Sequence, residues 1–453
     1  IHNFLYIRKT IFRIMPKFNS VIAAMLLFSS LSAQSPQIEF EEYVLDNGLK
    51  VLLHENHSTP IVAVSVMYHV GAKNEQPDRT GFAHFFEHLL FEGSENIKRG
   101  EFFKFIENAG GKNNANTTND RTFYYEVLPS NQLELGLWLE SERLLHAKID
   151  TIGVETQNEV VKEEKRLRVD NQPYGSFLAE VNKRAYQEHP YRWTTIGEME
   201  HLDAATLDEF ISFYHKFYVP ENAILSIAGD IDVPATKKLI KAYFGPIPRG
   251  KEKIAQINIV EPPLAAEIRD TILDDVQLPG VMMAYRIPAQ GTPDFYAIEL
   301  MSMVLSDGES SRFNKKCVEE TQSAMYVGAF PFSTEDPGLS FVFGIANAEV
   351  DPSILESEVN EEFEKIQNEL ISEKEFSKVR NMLENNFLGN FRSMVGIAEN
   401  LANYEMYFGD ANLINTELDR YMKVTREDIQ RVAKKYFNKD NRVVLYYLPK
   451  ENG

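Results

Sequence analysis

Runs of β-branched and aromatic residues from Glu39 to His54 and from Ile61 to His69 predict strands near the start of the folded chain. They break at Asp46-Asn47-Gly48 and at Ser58-Thr59-Pro60, where glycine, proline and short polar side chains favour turns. Apolar positions then recur at helical spacing from Gly81 to Glu92. Further helices are predicted over Leu133 to His146, Val154 to Val169 and Ala205 to Phe217, with strands over Thr122 to Leu128 and Ala223 to Ala228. Strands and helices mixed in this way predict an α+β fold.

An internal repeat organises the elements. The stretch TLDEFISFYHKFYVPENAIL, from Thr206, lies without a gap on TREDIQRVAKKYFNKDNRVVL, from Thr425. Thr206 falls on Thr425, Asp208 on Glu427, Lys216 on Lys435, Phe217 on Tyr436 and Asn222 on Asn441, each pair 219 residues apart. The same offset takes Pro60 to Pro279, and a strand-like run follows each (IVAVSVMYHV and GVMMAYRI). A shared offset at both ends of a unit points to duplication. Two homologous domains are therefore expected, at 36–245 and 268–450, joined by a linker at 246–267 that contains Pro246, Pro248, Gly250, Pro262 and Pro263.

Bulk properties narrow the function. A length of 453 residues suits two domains, and 43% hydrophobic with 25% charged residues is ordinary for folded chains. A net charge of −20 argues against nucleic-acid binding, which needs clustered cations. Cys317 is the single cysteine, so an intrachain disulfide and a thiolate-rich metal site are both excluded. From Met15 the chain reads MPKFNSVIAAMLLFSSLSAQ, with Lys17 ahead of an apolar stretch from Val21 to Leu31 and small residues at Ser32 and Ala33. This predicts a signal peptide at 15–33 and a periplasmic or secreted protein. The stretch is too short for a transmembrane anchor, and none is expected later in the chain.

The chemistry is concentrated at His84-Phe85-Phe86-Glu87-His88, inside an apolar helical segment. Imidazoles at i and i+4 share a helix face and can reach one metal ion. Glu87 adjoins that face and suits the general base of a zinc hydrolase. A third ligand is sought on the helix from Val154 to Val169, which offers Glu155, Glu159, Glu163 and Glu164. If Val160, Val161 and Leu167 form a buried stripe, Glu164 falls near its centre and is the expected ligand.

These residues resemble the pitrilysin and insulin-degrading-enzyme family, the inverted zincins, and within it the short processing-peptidase-like branch. That signature is H-x-x-E-H with a glutamate about 76 positions after the second histidine, and Glu164 follows His88 by 76. The resemblance implies one Zn²⁺ per chain on His84, His88 and Glu164, with Glu87 catalytic. It implies repeated α+β units, each a mainly antiparallel sheet packed with helices, of which one keeps the ligands; no H-x-x-E-H occurs near Glu299 to Leu305, where the repeat would put it. It implies an edge strand after Gly110-Gly111 that pairs with peptide substrate through Asn114, Ala115, Asn116 and Thr117. The stretch Ser306 to Arg312 resembles the glycine-rich loop of the second domain, with one glycine.

Two departures stand out. Gln157 occupies the position seven before the ligand glutamate where an acid is common. The second-domain Arg and Tyr that steady the substrate carbonyl fall on Val318 and Met325, or, shifted by one, on Glu319 and Tyr326, so the Arg is missing. The resemblance then implies a heterodimer in which a related partner subunit supplies that pair. The function expected is zinc-dependent endopeptidase action on peptides or unfolded polypeptides. The alternatives are a non-catalytic assembly or scaffold subunit of the same fold, and a peptide-binding module.

Overall fold

The computed structural model describes residues 37–450, so the expected signal peptide lies outside the described residues. From Phe40 onward the chain forms one compact unit with two sheets. The first comprises β1 (Glu41–Val44), β2 (Lys50–Glu55), β3 (Ile61–Tyr68), β4 (Lys112–Thr117), β5 (Thr122–Pro129) and β6 (Ala223–Gly229), in spatial order β1-β2-β6-β3-β5-β4. The second comprises β7 (Ile268–Asp274), β8 (Gly280–Arg286), β9 (Ala324–Pro331), β10 (Leu339–Ala346) and β11 (Arg442–Pro449), in order β7-β11-β8-β10-β9. Pairing is antiparallel except for β2 with β6 and β7 with β11. Apart from β1, the two orders are the same. This is the two-domain α+β architecture that the repeat predicted.

The repeat shows its physical content at its caps. Thr206 and Thr425 each cap a helix, Leu207–Phe217 and Arg426–Tyr436, in a reciprocal arrangement with Glu209 and Asp428. The Asn222 amide donates to the carbonyls of Phe217 and His69, and the Asn441 amide to those of Tyr436 and Arg286. Each asparagine ties the end of its helix to the strand that β6 or β11 pairs with. In the turn before β2, Gly48 takes φ 92°, and the buried Asn47 donates to the carbonyls of Phe244 and Ile247 at 2.8 and 2.9 Å.

The halves exchange helices. Phe177–Ala185, from the first half of the sequence, packs on β8 and β11, with Val181 and Ala185 buried among Met282, Ala284, Val443 and Leu445. Met394–Phe408, from the second half, lies against β2, β3 and β6. Among the described residues no helix is long and apolar enough to cross a membrane.

One helix departs from its expected pattern. It runs over Thr151–Lys165, capped by Asp150 accepting from the Gly153 amide, and Arg166–Asp170 continues it as a wider π turn. Val161 is fully buried, but Val160 and Leu167 are 43% and 56% exposed, so the apolar stripe used to select Glu164 does not exist. Only one row of this surface helix faces inward, and the π turn carries Leu167 out of phase. Glu164 still faces inward because it sits three residues after Val161, on the same side.

Candidate metal centre

The helix Phe82–Leu89 carries His84, Glu87 and His88. At eight residues it is too short to hold together alone, so packing must fix it. Phe82, Phe85, Phe86 and Leu89 are buried in the first core, each contributing about 1.5–3 kcal/mol. Its ends are held by charged and polar side chains from elsewhere. The buried Glu75 carboxylate accepts from the Gly81 and Ala83 amides, both at 2.8 Å, which satisfies orphan donors of the first turn. At the far end the Tyr124 hydroxyl donates to the Phe86 carbonyl at 2.9 Å, and fully buried Arg143 donates to the Leu90 carbonyl at 3.1 Å. Arg143 is itself held by Glu126 and Glu140 and lies over the rings of Phe91, Phe102 and Tyr124.

His84 and His88 are brought against Glu164. Glu164 Oε2 lies 3.0 Å from His88 Nε2 and 3.6 Å from His84 Nε2, and the two imidazoles meet edge to face at 4.9 Å. Tetrahedral zinc, with ligand bonds of about 2.0–2.1 Å, sets its donor atoms roughly 3.3 Å apart, which matches this spacing. Among the described residues this is the one group of three such side chains whose ligand atoms converge, all within 4.8 Å. Glu164 Oε2 and His84 Nδ1 are buried without a hydrogen bond. A buried acceptor left this way costs about 1–3 kcal/mol, and a cation would relieve it at the carboxylate. The donor set of two imidazoles and one carboxylate therefore fits zinc.

The electrostatics favour the metal-ready protonation states. Burial, reinforced by His88, pushes His84 down to about 4, so it is neutral near pH 7 and free to ligate. The His88 imidazole beside it, with its Nε2 3.0 Å from Oε2, holds Glu164 below the usual carboxylate range. Arg168, from the π turn, pairs with the other oxygen of Glu164 at 2.8 Å. Burial raises Glu87, against the hydrogen bond it accepts from the Thr117 hydroxyl at 2.6 Å.

Of the residues expected to bind peptide, Asn114, Ala115, Asn116 and Thr117 all lie on β4, which pairs with β5 on one side and ends the sheet on the other. Thr117 does more than line the edge, because its side chain holds Glu87. Asn116 Oδ1 accepts from Arg121 at 2.5 Å. Glu155, Glu159 and Glu163 are exposed. Gln157 donates to Glu92 at 2.5 Å, a donor where an acid would have been an acceptor. In the second half Val318 packs on the core and Glu319 is exposed. A bulge between Ile345 and Ala346 pairs Tyr326 and Ala324 with adjacent β10 residues and skips Met325. Neither alignment puts a cation there. Glu75, Arg143 and Tyr124 were not foreseen. Their roles arise from tertiary contacts, and the one sequence signal was a charged Arg143 three residues after Glu140 in a mostly apolar helix.

The segment 50–198 matches the model of Insulinase (Peptidase family M16), and 204–383 matches Peptidase M16 inactive domain. The chain belongs to peptidase family M16. The first match contains the whole candidate metal centre, and the second begins beyond it. Zinc protease PqqE of Helicobacter pylori is 29% identical over 435 residues, covering 95% of this chain and 97% of that protein. The crystal structure of a protease from Helicobacter pylori superposes with a TM-score of 0.87 at 28% identity, covering 91% of this chain and 100% of the other. The M16 fold is shared with the periplasmic protease PqqL from Escherichia coli, TM-score 0.73 at 20% identity, covering 92% of this chain but 48% of that one.

Proposed function

We propose that this M16 chain is a zinc-dependent endopeptidase that hydrolyses peptides or unfolded polypeptides, with one Zn²⁺ held by His84, His88 and Glu164. The observation that carries the reading is the convergence of those three ligand atoms beside a glutamate that is not one of them. When bound, zinc supplies a Lewis acid that polarises the scissile carbonyl and lowers the pKa of water toward about 7. Glu87, oriented by Thr117, takes the proton from the attacking water and delivers it to the leaving amine. The free edge of β4 offers backbone amides and carbonyls to an extended peptide, which gives affinity with little sequence selectivity. Substitution of Glu87→Gln leaves zinc content unchanged and lowers peptide hydrolysis by about 10²–10⁴-fold; cleavage at the native rate by that variant sinks the assignment.

The missing arginine extends the reading. A related partner subunit supplies the Arg and Tyr that steady the oxyanion, because Val318 is packed on the core and Glu319 has the wrong charge. Turnover should rise when a related chain is added to the purified protein. Full turnover by the chain alone removes the need for a partner. The apolar stretch from Val21 to Leu31, followed by Ser32 and Ala33, supports export, so the site of action is periplasmic or extracellular, tested by fractionating cells.

A further inference from the structure

The two oxygens of the Glu164 carboxylate have different surroundings. Oε2 faces the imidazoles, 3.0 Å from His88 Nε2 and 3.6 Å from His84 Nε2, and is buried without a hydrogen bond. Oε1 is paired with Arg168 at 2.8 Å. The break in the helix places that pair. Four α-helical steps of about 100° overshoot a full turn by roughly 40°, whereas a π turn takes more residues to close. The π turn Arg166–Asp170 therefore brings Arg168 more nearly into line with Glu164. The Arg168 side chain is 77% exposed, while that of Glu164 is 15% exposed. A guanidinium this open to water adds little to stability, so its consequence lies in what it does to the carboxylate.

A carboxylate can meet a cation through one oxygen or through both. At a hydrolytic metal the choice decides whether water has a place. Two imidazoles and a single carboxylate oxygen make three protein ligands, and the fourth position is then left for water. With both oxygens bound, Glu164 would fill that position itself. Among the described residues the other ion-pair partners of Glu164 are His84 and His88, and both meet Oε2. Arg168 is therefore what keeps Oε1 occupied. Side chains that hold a ligand from outside in this way set its orientation toward the metal.

We propose that Arg168 is a positioning residue: by occupying Oε1 it makes Glu164 ligate through Oε2 alone and keeps the fourth position of the metal open. This rests on the reading of His84, His88 and Glu164 as the metal ligands. Arg168 acts through the carboxylate and not on the substrate. Its guanidinium stays charged and presents its N–H donors in a fixed fork, so it remains on Oε1 while the metal, also positive, takes the oxygen on the other side.

The test reads the coordination of the metal, so that it does not depend on hydrolysis. The purified full chain is loaded with saturating Co²⁺ in place of zinc, and its visible spectrum is recorded. Four-coordinate cobalt absorbs strongly, and a fifth ligand weakens the bands. The native chain should give the intense four-coordinate spectrum. Arg168→Met, which keeps the length of the side chain and removes its donors, should lose most of that intensity. Arg168→Lys, which keeps a charged donor, should retain it. So should Arg166→Met, which breaks the neighbouring exposed pair with Glu163 at 3.2 Å. An unchanged spectrum in Arg168→Met overturns the proposal even if cobalt binds more weakly, because Arg168 would then support affinity alone. An equal loss in either of the other variants overturns it too, as does a weak five-coordinate spectrum in the native chain. Cooperative melting checks that each variant is folded, and the native spectrum decides alone if one is not. A native chain that binds no cobalt refutes the metal centre itself, whereas intense native bands that Arg168→Met leaves unchanged refute this proposal alone.

Discussion

The site depends on single side chains that reach across the fold. The convergence of two candidate ligands and a candidate base was legible because helical spacing forces His84 and His88 onto one face with Glu87 beside it. Glu164 was legible through its distance from His88, whereas the periodicity argument selected it through a stripe that Val160 and Leu167 do not form. Glu75 was not legible, since its partners are amides six and eight residues away and nothing local marks it as a cap. Thr117 was expected at the substrate edge, and its contact with Glu87 gives it a second task. Thr117→Val removes a hydrogen bond to a charged group, worth about 1.5 kcal/mol or more, without touching a ligand. It should lower kcat/KM about tenfold at unchanged zinc content, measured by steady-state kinetics beside metal analysis. Unaltered kcat/KM would show that Glu87 needs no such support.

At the scale of elements, the sequence located helices and strands well and their ends less well. The Thr206 and Thr425 caps announce themselves, because a hydroxyl at the N-cap with an acid three residues later serves the same amides in any context. The π turn after Lys165 carries no such signal. The helix Glu373–Gly389 is capped in the same manner. Glu375 accepts from the Ser372 amide and hydroxyl at 2.9 and 2.8 Å and from Arg312 at 2.8 Å. Against the upward pull of burial, Arg312 and Ser372 bring this carboxyl down to about 2. A folded value below the unfolded one means stability that is full above about pH 4.5 and is lost as pH falls toward 2. With a discount for the solvent screening of a side chain that is 30% exposed, Glu375→Gln should cost about 1–2 kcal/mol at pH 7. The gap from the native chain should close on acidification through that window, as followed by urea unfolding at several pH values. A gap that stays constant with pH would assign the loss to packing.

The whole molecule is a duplicated unit whose copies are interlocked. The 219-residue offset revealed the duplication because capping and clamping residues such as Asn222 and Asn441 keep their roles in both copies. The exchange of helices was not legible, because Phe177–Ala185 and Met394–Phe408 are amphipathic in either setting and only the folded chain decides which sheet each covers. That exchange ties the first half, which carries the candidate metal centre, to the second half, where neither alignment finds the expected arginine. The proposed catalysis depends on the metal centre above all. The most direct measurement is the initial rate of cleavage of an unfolded peptide by the purified chain, together with a related partner chain, before chelation, after chelation and after zinc is restored. The account predicts cleavage that is abolished by the chelator and regained at about one zinc per chain. Cleavage that persists after the metal is removed, or none from the zinc-loaded pair, would contradict it.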